Sequence, residues 1–253
     1  MANEQRVALV TGGGKGLGAA IAARLVHEGY RVAITGRDQG ALDEVAKASR
    51  LFSRVADVTN QEEMAAAIDA VEKTCGPISI LVQNAGIATA APLAKTDDET
   101  WERIFRVNVT AAFQLNRALL PKMVKQGFGR IVHVASTAGL TGFSYAAAYS
   151  ASKHALVGLT RSLALEFAQK GVTVNAVCPG FLDTEMTRRA VGTIVQKTGR
   201  SAADAEAELA GFNPQKRLIL SEEVATVVAM LVREDARSVN GVAIPVDGGQ
   251  LTR

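Results

Sequence analysis

Seven short apolar runs, most of them continuous rather than alternating, constrain this chain more than any other feature. They occupy residues 7–11, 31–35, 54–58, 78–82, 130–135, 172–177 and 243–246. A strand that is apolar on both faces must be covered on both faces, as in a parallel sheet layered between helices. The Ala/Leu-rich stretches between them read as helices over 18–28, 41–49, 61–74, 100–125, 146–169 and 221–233. Such alternation predicts an α/β fold with a doubly wound, seven-stranded, mostly parallel sheet and helices on both faces. These elements use nearly all of the 253 residues, so one domain over 1–253 is expected. The exception is the polar, helix-prone segment 183–217, too long for an ordinary connection. It reads either as a lid on the ligand side or as a solvated pair of surface helices.

Composition closes off several classes. Apolar residues make up 48% and charged residues 21%, which excludes disorder and fibrous repeats. The formal net charge is only +3, so no nucleic-acid partner is expected. Residues 1–6 are short and polar and no apolar run approaches a transmembrane span, so a cytoplasmic protein without membrane attachment is expected. Cys75 and Cys178 cannot build a disulfide framework and read as buried thiols. His27, His133 and His154 form no ligand or nucleophile pattern, and no metal is expected. His133 reads as packed, Trp101 as a helix packing residue, and Leu115, Leu119 and Met123 as a buried helical stripe.

Two motifs carry chemistry. The first strand runs into Thr11-Gly12-Gly13-Gly14-Lys15-Gly16-Leu17-Gly18, and a helix follows at once. Glycines let the backbone turn tightly and let a pyrophosphate approach peptide N–H groups, while the helix N-terminus adds its positive dipole end. The spacing is TGxxxGxG rather than GxGxxG. The second motif is Tyr149-Ser150-Ala151-Ser152-Lys153 in a helical stretch. A spacing of four places both side chains on one helix face, where an ammonium favours the phenolate and lowers the tyrosine pKa. Upstream, a strand ends at Ser136, a hydroxyl at the strand end where such sheets bind ligands.

Together these motifs resemble the short-chain dehydrogenase/reductase family, whose Rossmann-type domain binds a nicotinamide dinucleotide. Asp57, Asn84-Ala85-Gly86, Asn108, Pro179-Gly180 and the tail Ile244-Pro245-Val246-Asp247-Gly248-Gly249 match in order and spacing. The resemblance implies that Tyr149 exchanges a proton with the substrate oxygen, Lys153 tunes it and holds the nicotinamide ribose, Ser136 polarises the carbonyl, and Asn108 completes a proton relay. It implies cofactor contacts at Gly12, Lys15, Gly16, Leu17, Gly18, Arg37, Asp57, Val58, Asn84, Ala85, Gly86, Tyr149, Lys153, Pro179, Gly180, Leu182 and Thr184. Gly36 stands where the family's NAD binders usually carry an acid, and Arg37 and Lys15 supply two cations. NADP(H) is therefore expected in preference to NAD(H), although Asp38 could neutralise Arg37. Two departures are visible: Gln83 replaces the first Asn of Asn-Asn-Ala-Gly, and Ala135 stands where a second serine is common.

The tail and the phrase Pro179-Gly180-Phe181-Leu182-Asp183-Thr184-Glu185-Met186 resemble the 3-oxoacyl thioester reductases and 3-hydroxyacyl-CoA dehydrogenases of the family. That implies a carbonyl or secondary alcohol substrate, linked to coenzyme A or an acyl carrier protein; free alcohols, ketones, steroids or sugars are the alternative. Arg188, Arg189, Lys197 and Arg200 could meet such a carrier's phosphates or acidic surface, though Glu185, Asp204, Glu206 and Glu208 dilute them. Phe181 and Met186 could line a substrate pocket or belong to the core. The resemblance also implies a homotetramer that packs the 100–125 and 146–169 helices across an interface.

Overall fold

The structure is a computed structural model and describes residues 6–252. Seven strands form one sheet in the order β3-β2-β1-β4-β5-β6-β7, and every pairing is parallel. They are β1 (Val7–Thr11), β2 (Arg31–Gly36), β3 (Phe52–Val55), β4 (Ile78–Gln83), β5 (Gly129–Val134), β6 (Val172–Pro179) and β7 (Ala243–Val246). The sheet is thus wholly parallel, where the sequence suggested mostly parallel. Ala8 and Val10 pack on one face with Leu17, Ile21 and Leu25 of α1 (Gly16–His27) and with Val224 and Val228 of α9 (Ser221–Leu231). Val7 and Leu9 pack on the other with Met64 and Ile68 of α3 (Gln61–Cys75) and with Leu115, Leu119 and Met123 of α5 (Ala111–Lys125). All five residues of β1 are buried, which is why its pattern is continuous. Truncating Leu9, with no exposed surface, would cost about 2–5 kcal/mol.

Four of the α-helices begin where short polar side chains accept their first N–H groups. Asp38 caps α2 (Gln39–Ser49), Asn60 caps α3, Asp97 caps α4 (Asp98–Phe105), and Ser201 caps α8 (Ala202–Gly211). Helix α1 is different: Lys15 precedes it, makes no side-chain cap, and no acid lies in its first turn.

Two expectations are corrected. The third strand is Phe52–Val55, not 54–58. It is a short edge strand, with Arg54 and Val55 exposed, so burial does not impose the continuous apolar pattern there. The stretch read as one helix over 100–125 starts at Asp98 and is broken by a π-turn, Arg106–Thr110, before α5 resumes. Trp101, read as a helix packing residue, is 43% exposed and stacks on Phe105 of the same helix at 4.6 Å.

Helix α6 (Ala147–Phe167) carries the Tyr149/Lys153 pair. The 183–217 segment forms α7 (Glu185–Thr198) and α8, which enclose Val191, Ala205 and Leu209 as a small core of their own. Its base is tied to the sheet side by the Leu182–Ile219 bridge. Among the described residues, no helix is long and apolar enough to cross a membrane, and no cluster of His, Cys, Asp and Glu could hold a metal ion.

Candidate functional site

The strand order turns outward on either side of β1 and β4, so the loops beyond their C-terminal ends part and leave a crevice. Its two walls are pinned together. Thr11 Oγ1 accepts hydrogen bonds from Asn84 N and Ala85 N at 3.2 and 3.1 Å. Asn84 Nδ2 donates in return to the carbonyls of Thr11 and Gly12, both at 3.1 Å. The glycine loop lies flat because side chains are absent: a Cβ on Gly18 would sit 2.1 Å from Gly12 O. Gly12 itself adopts φ +66°, a conformation that favours glycine. Leu17 is buried beneath the loop, while Gly16 faces Thr184 across the crevice. The uncapped start of α1 leaves its first N–H groups directed here, and no acid of its own competes for them. This arrangement fits a dinucleotide pyrophosphate.

Charge at the outer end of the crevice is exposed and already paired. Lys15 Nζ lies 2.9 Å from Asp38 Oδ2, and Arg37 Nη1 lies 3.9 Å from Asp57 Oδ2. Asp38 thus neutralises Lys15, not Arg37. The hydrogen bond between them raises the Lys15 pKa and lowers that of Asp38. Burial pushes the Asp57 carboxyl up, but hydrogen bonds from Thr59 and the charge of Arg37 outweigh it and hold the pKa low. Val58 follows, partly buried against the α3 side of the core. On the opposite wall, Gly180 N donates to Val246 O at 3.1 Å, fixing the loop that starts at buried Pro179 and continues through Leu182 to Thr184.

The inner end is built around a buried lysine, with Tyr149 and Ser136 partly buried beside it. Tyr149 and Lys153 share one face of α6, with Lys153 Nζ 5.7 Å from the tyrosine ring centroid. Lys153 is only 4% exposed, and its Nζ donates to Val134 O at 2.9 Å. Burial without a carboxylate partner lowers its pKa to about 8. Burial also raises the Tyr149 pKa above its ordinary value, while a hydrogen bond with Ser136 opposes the rise. The lowering of the tyrosine by the lysine expected from spacing is therefore not what dominates in this structure: desolvation does. Ser136 Oγ also accepts from Ala138 N at 3.1 Å.

Asn108 sits on the π-turn, which aims its side chain at the loop after β4. Its Oδ1 accepts from Ile87 N at 2.9 Å, and its Nδ2 donates to Ile87 O and Ser152 Oγ, both at 3.0 Å. Ser152 Oγ donates onward to Tyr149 O at 2.7 Å. A Cβ on Gly86 would stand 3.3 Å from Asn108 Oδ1 and 3.5 Å from Lys153 Nζ, so glycine keeps this space open.

The sequence reading missed Thr11 and Ser152. Both lie inside quoted motifs, but their roles depend on partners distant in sequence. The fold also gives His133 a place: it is fully buried, with Nε2 3.0 Å from Asn116 Nδ2 and Nδ1 2.8 Å from Thr160 Oγ1. Thr160 donates to Leu156 O, so a consistent chain has His133 donating from Nδ1 and accepting at Nε2. Burial lowers its pKa to about 3. Cys178 is buried and Cys75 partly so. Three cations of the 183–217 segment are spent on its own acids: Arg188 on Asp183, Arg189 on Glu185 and Arg200 on Glu208. Met186 is exposed, and Phe181 is partly buried against the small core of the insert.

Comparison with known proteins gives the family and the fold. The family profile described as short chain dehydrogenase matches residues 6–193. The chain is 39% identical over 244 residues to the 3-oxoacyl-[acyl-carrier-protein] reductase MabA of Mycobacterium avium, covering 96% of this chain and 89% of that protein. It superposes on a crystal structure of a variant actinorhodin polyketide ketoreductase with NADPH at TM-score 0.94, with 38% identity and 97% of each chain covered. Levodione reductase matches at TM-score 0.93, with 32% identity and 99% of each chain covered. An oxidoreductase by its relatives and its site, the chain belongs to the short-chain dehydrogenase family.

Proposed function

We propose that the chain reduces 3-oxoacyl thioesters, carried on coenzyme A or an acyl carrier protein, using NADP(H). The observation that carries the chemistry is the meeting of Ser136, Tyr149 and a buried, acid-free Lys153 at the C-terminal edge of β5. The thioester class rests on the likeness to MabA along 96% of the chain. NADP(H) is supported by the absence of an acid at Gly36, by Lys15 and Arg37, and by the NADPH in the related ketoreductase.

When bound, the dinucleotide supplies the hydride. Gly12, Gly16, Leu17 and Gly18 would cradle its pyrophosphate, with Lys15 and Arg37 toward the 2′-phosphate and Asp57 and Val58 toward the adenine. Asn84, Ala85 and Gly86 would line its groove, and Pro179, Gly180, Leu182 and Thr184 would hold the nicotinamide end. Tyr149 Oη gives its proton to the carbonyl oxygen as that oxygen gains charge. Its raised pKa keeps it protonated at neutral pH, the form that reduction needs. Ser136 Oγ shares the same oxygen and steers it onto the tyrosine. Lys153, cationic below about pH 8, stabilises the phenolate left behind and would hold the nicotinamide ribose. Asn108 and Ser152 hold the turn that carries Tyr149.

The test is the initial rate with NADPH and NADH on acetoacetyl-CoA beside matched free ketones. Turnover with NADPH and the thioester, and little with ketones, is expected; a preference for NADH overturns the cofactor assignment. A second reading, a reductase of free ketones, is favoured by the internally paired arginines of the insert and the match to levodione reductase. Turnover with ketones alone would select it. The homotetramer is supported by exposed Trp101, Phe113 and Leu165 on the helices expected at the interface.

A further inference from the structure

Three aromatic rings from three separate segments meet beside the candidate site. Phe143 comes from the loop between Ser136 and Tyr149, Phe181 directly follows Pro179-Gly180, and Phe212 closes the C-terminal end of α8. Their centroids form a closed triangle: 6.1 Å from Phe143 to Phe181, 5.7 Å from Phe143 to Phe212, and 5.4 Å from Phe181 to Phe212. The first pair meets edge to face at 85°, and the other two are tilted. The triangle therefore joins the two loops that flank the substrate oxygen to the outer helix of the insert.

The triangle is not sealed in a core. Phe212 is 44% exposed, and Phe143 and Phe181 are only partly buried. Close by in the chain, Tyr145 is 67% exposed and holds φ +63°, a left-handed conformation costly for a non-glycine residue. Its carbonyl accepts from Ala91 N at 2.8 Å, which anchors the strained turn to the loop after β4. Strain kept in an active-site loop, with aromatic surface left wet beside it, fits a wall that gains cover when substrate arrives. The ring faces offer apolar contact and no hydrogen-bond partner for hydroxyl groups. Nearby charged side chains Arg188, Asp183, Arg189 and Glu185 are paired with one another.

We propose that Phe143, Phe181 and Phe212 form the wall that binds the apolar arm of the carbonyl substrate and select it over a polyhydroxylated one. This rests on the carbonyl-reducing reading of Tyr149 and Ser136, and it holds whether the arm belongs to a thioester or a free ketone. The arm would lie across the triangle while the reacting carbonyl reaches Tyr149.

The experiment measures kcat and KM in two series of increasing chain length, 3-oxoacyl-CoA thioesters and methyl ketones, with a ketose sugar as the polar control. Wild type, Phe212→Ala and Phe143→Leu are compared, the last because it keeps apolar volume where the loop must still fold. In the wild type, kcat/KM should rise about tenfold or more from the shortest to the longer chain, as expected of added methylenes in an apolar site. Phe212→Ala should flatten that rise mainly through KM, leaving the shortest substrate close to wild type. A merely structural role would lower every substrate alike, and that result overturns the proposal. So does an undiminished chain-length gain in both variants, or a wild-type preference for the sugar. If thioesters are inert while the ketone series shows a gain that Phe212→Ala removes, the wall stands and the thioester reading falls.

Discussion

The two ends of the crevice handle charge in opposite ways. At the outer end, Lys15, Asp38, Arg37 and Asp57 sit in or near water and neutralise one another in pairs. At the inner end, Lys153 is 4% exposed and faces a carbonyl rather than a carboxylate. Water screens the first set, so its pairs can be exchanged for a ligand phosphate at little cost. Desolvation dominates the second set, bringing the lysine pKa down to about 8 and raising that of the tyrosine. On the proposed reading, cofactor choice would rest on exchangeable surface charge, while proton transfer would rest on a tyrosine and a lysine whose pKa values are set by desolvation.

The largest expected effect breaks the inner end. Tyr149→Phe should lower kcat by roughly 10²–10⁴-fold, the usual worth of a positioned proton donor. Dinucleotide binding, followed by calorimetry, should survive. Loss of binding equal to the loss of turnover would mean that the tyrosine positions the cofactor instead of moving the proton.

Acid should expose the same contrast in stability. The folded pKa of His133, about 3, lies below its ordinary value of 6.5, so the unfolded chain binds the extra proton between those limits. Stability contributed by the neutral ring is present above about pH 6.5 and is lost as pH falls toward 3, a change on the order of a few kcal/mol. Urea unfolding across that window should show the slope, and His133→Gln should flatten it. An unchanged slope in the variant would place the acid sensitivity elsewhere.

The smallest effect sharpens the outer end. Arg37→Asp should shift preference from NADPH toward NADH by about tenfold or more in kcat/KM, with the melting temperature unchanged, because the side chain is 78% exposed. Unaltered NADPH affinity would remove Arg37 from the cofactor assignment.

Much of this contrast is legible in the sequence, and the reasons differ by region. Central strands such as β1 are buried on both faces, so their continuous apolar pattern marks them directly. The edge strand β3 escapes that rule, and its register slipped. Tyr149, Lys153 and Ser136 are visible because helical spacing and strand ends place chemistry locally. The direction of the tyrosine pKa was not visible, since desolvation depends on everything packed around the site. Ser152 and Thr11 act through partners brought near only by the fold. The π-turn had a faint signal: Val107, Val109 and Thr110 are β-branched and poor choices for a helix interior.

That wide turn also sets the phase of everything after it. One residue changes the direction of a helix face by about 100°. Removing a residue from Arg106–Thr110 would let α4 and α5 join as a regular helix, but Leu115, Leu119 and Met123 could not then face the sheet while Ile104 kept its own burial. The segment can therefore exchange side chains far more readily than it can change length. Single-residue deletions here should be far less tolerated than substitutions, even at positions that touch neither substrate nor cofactor.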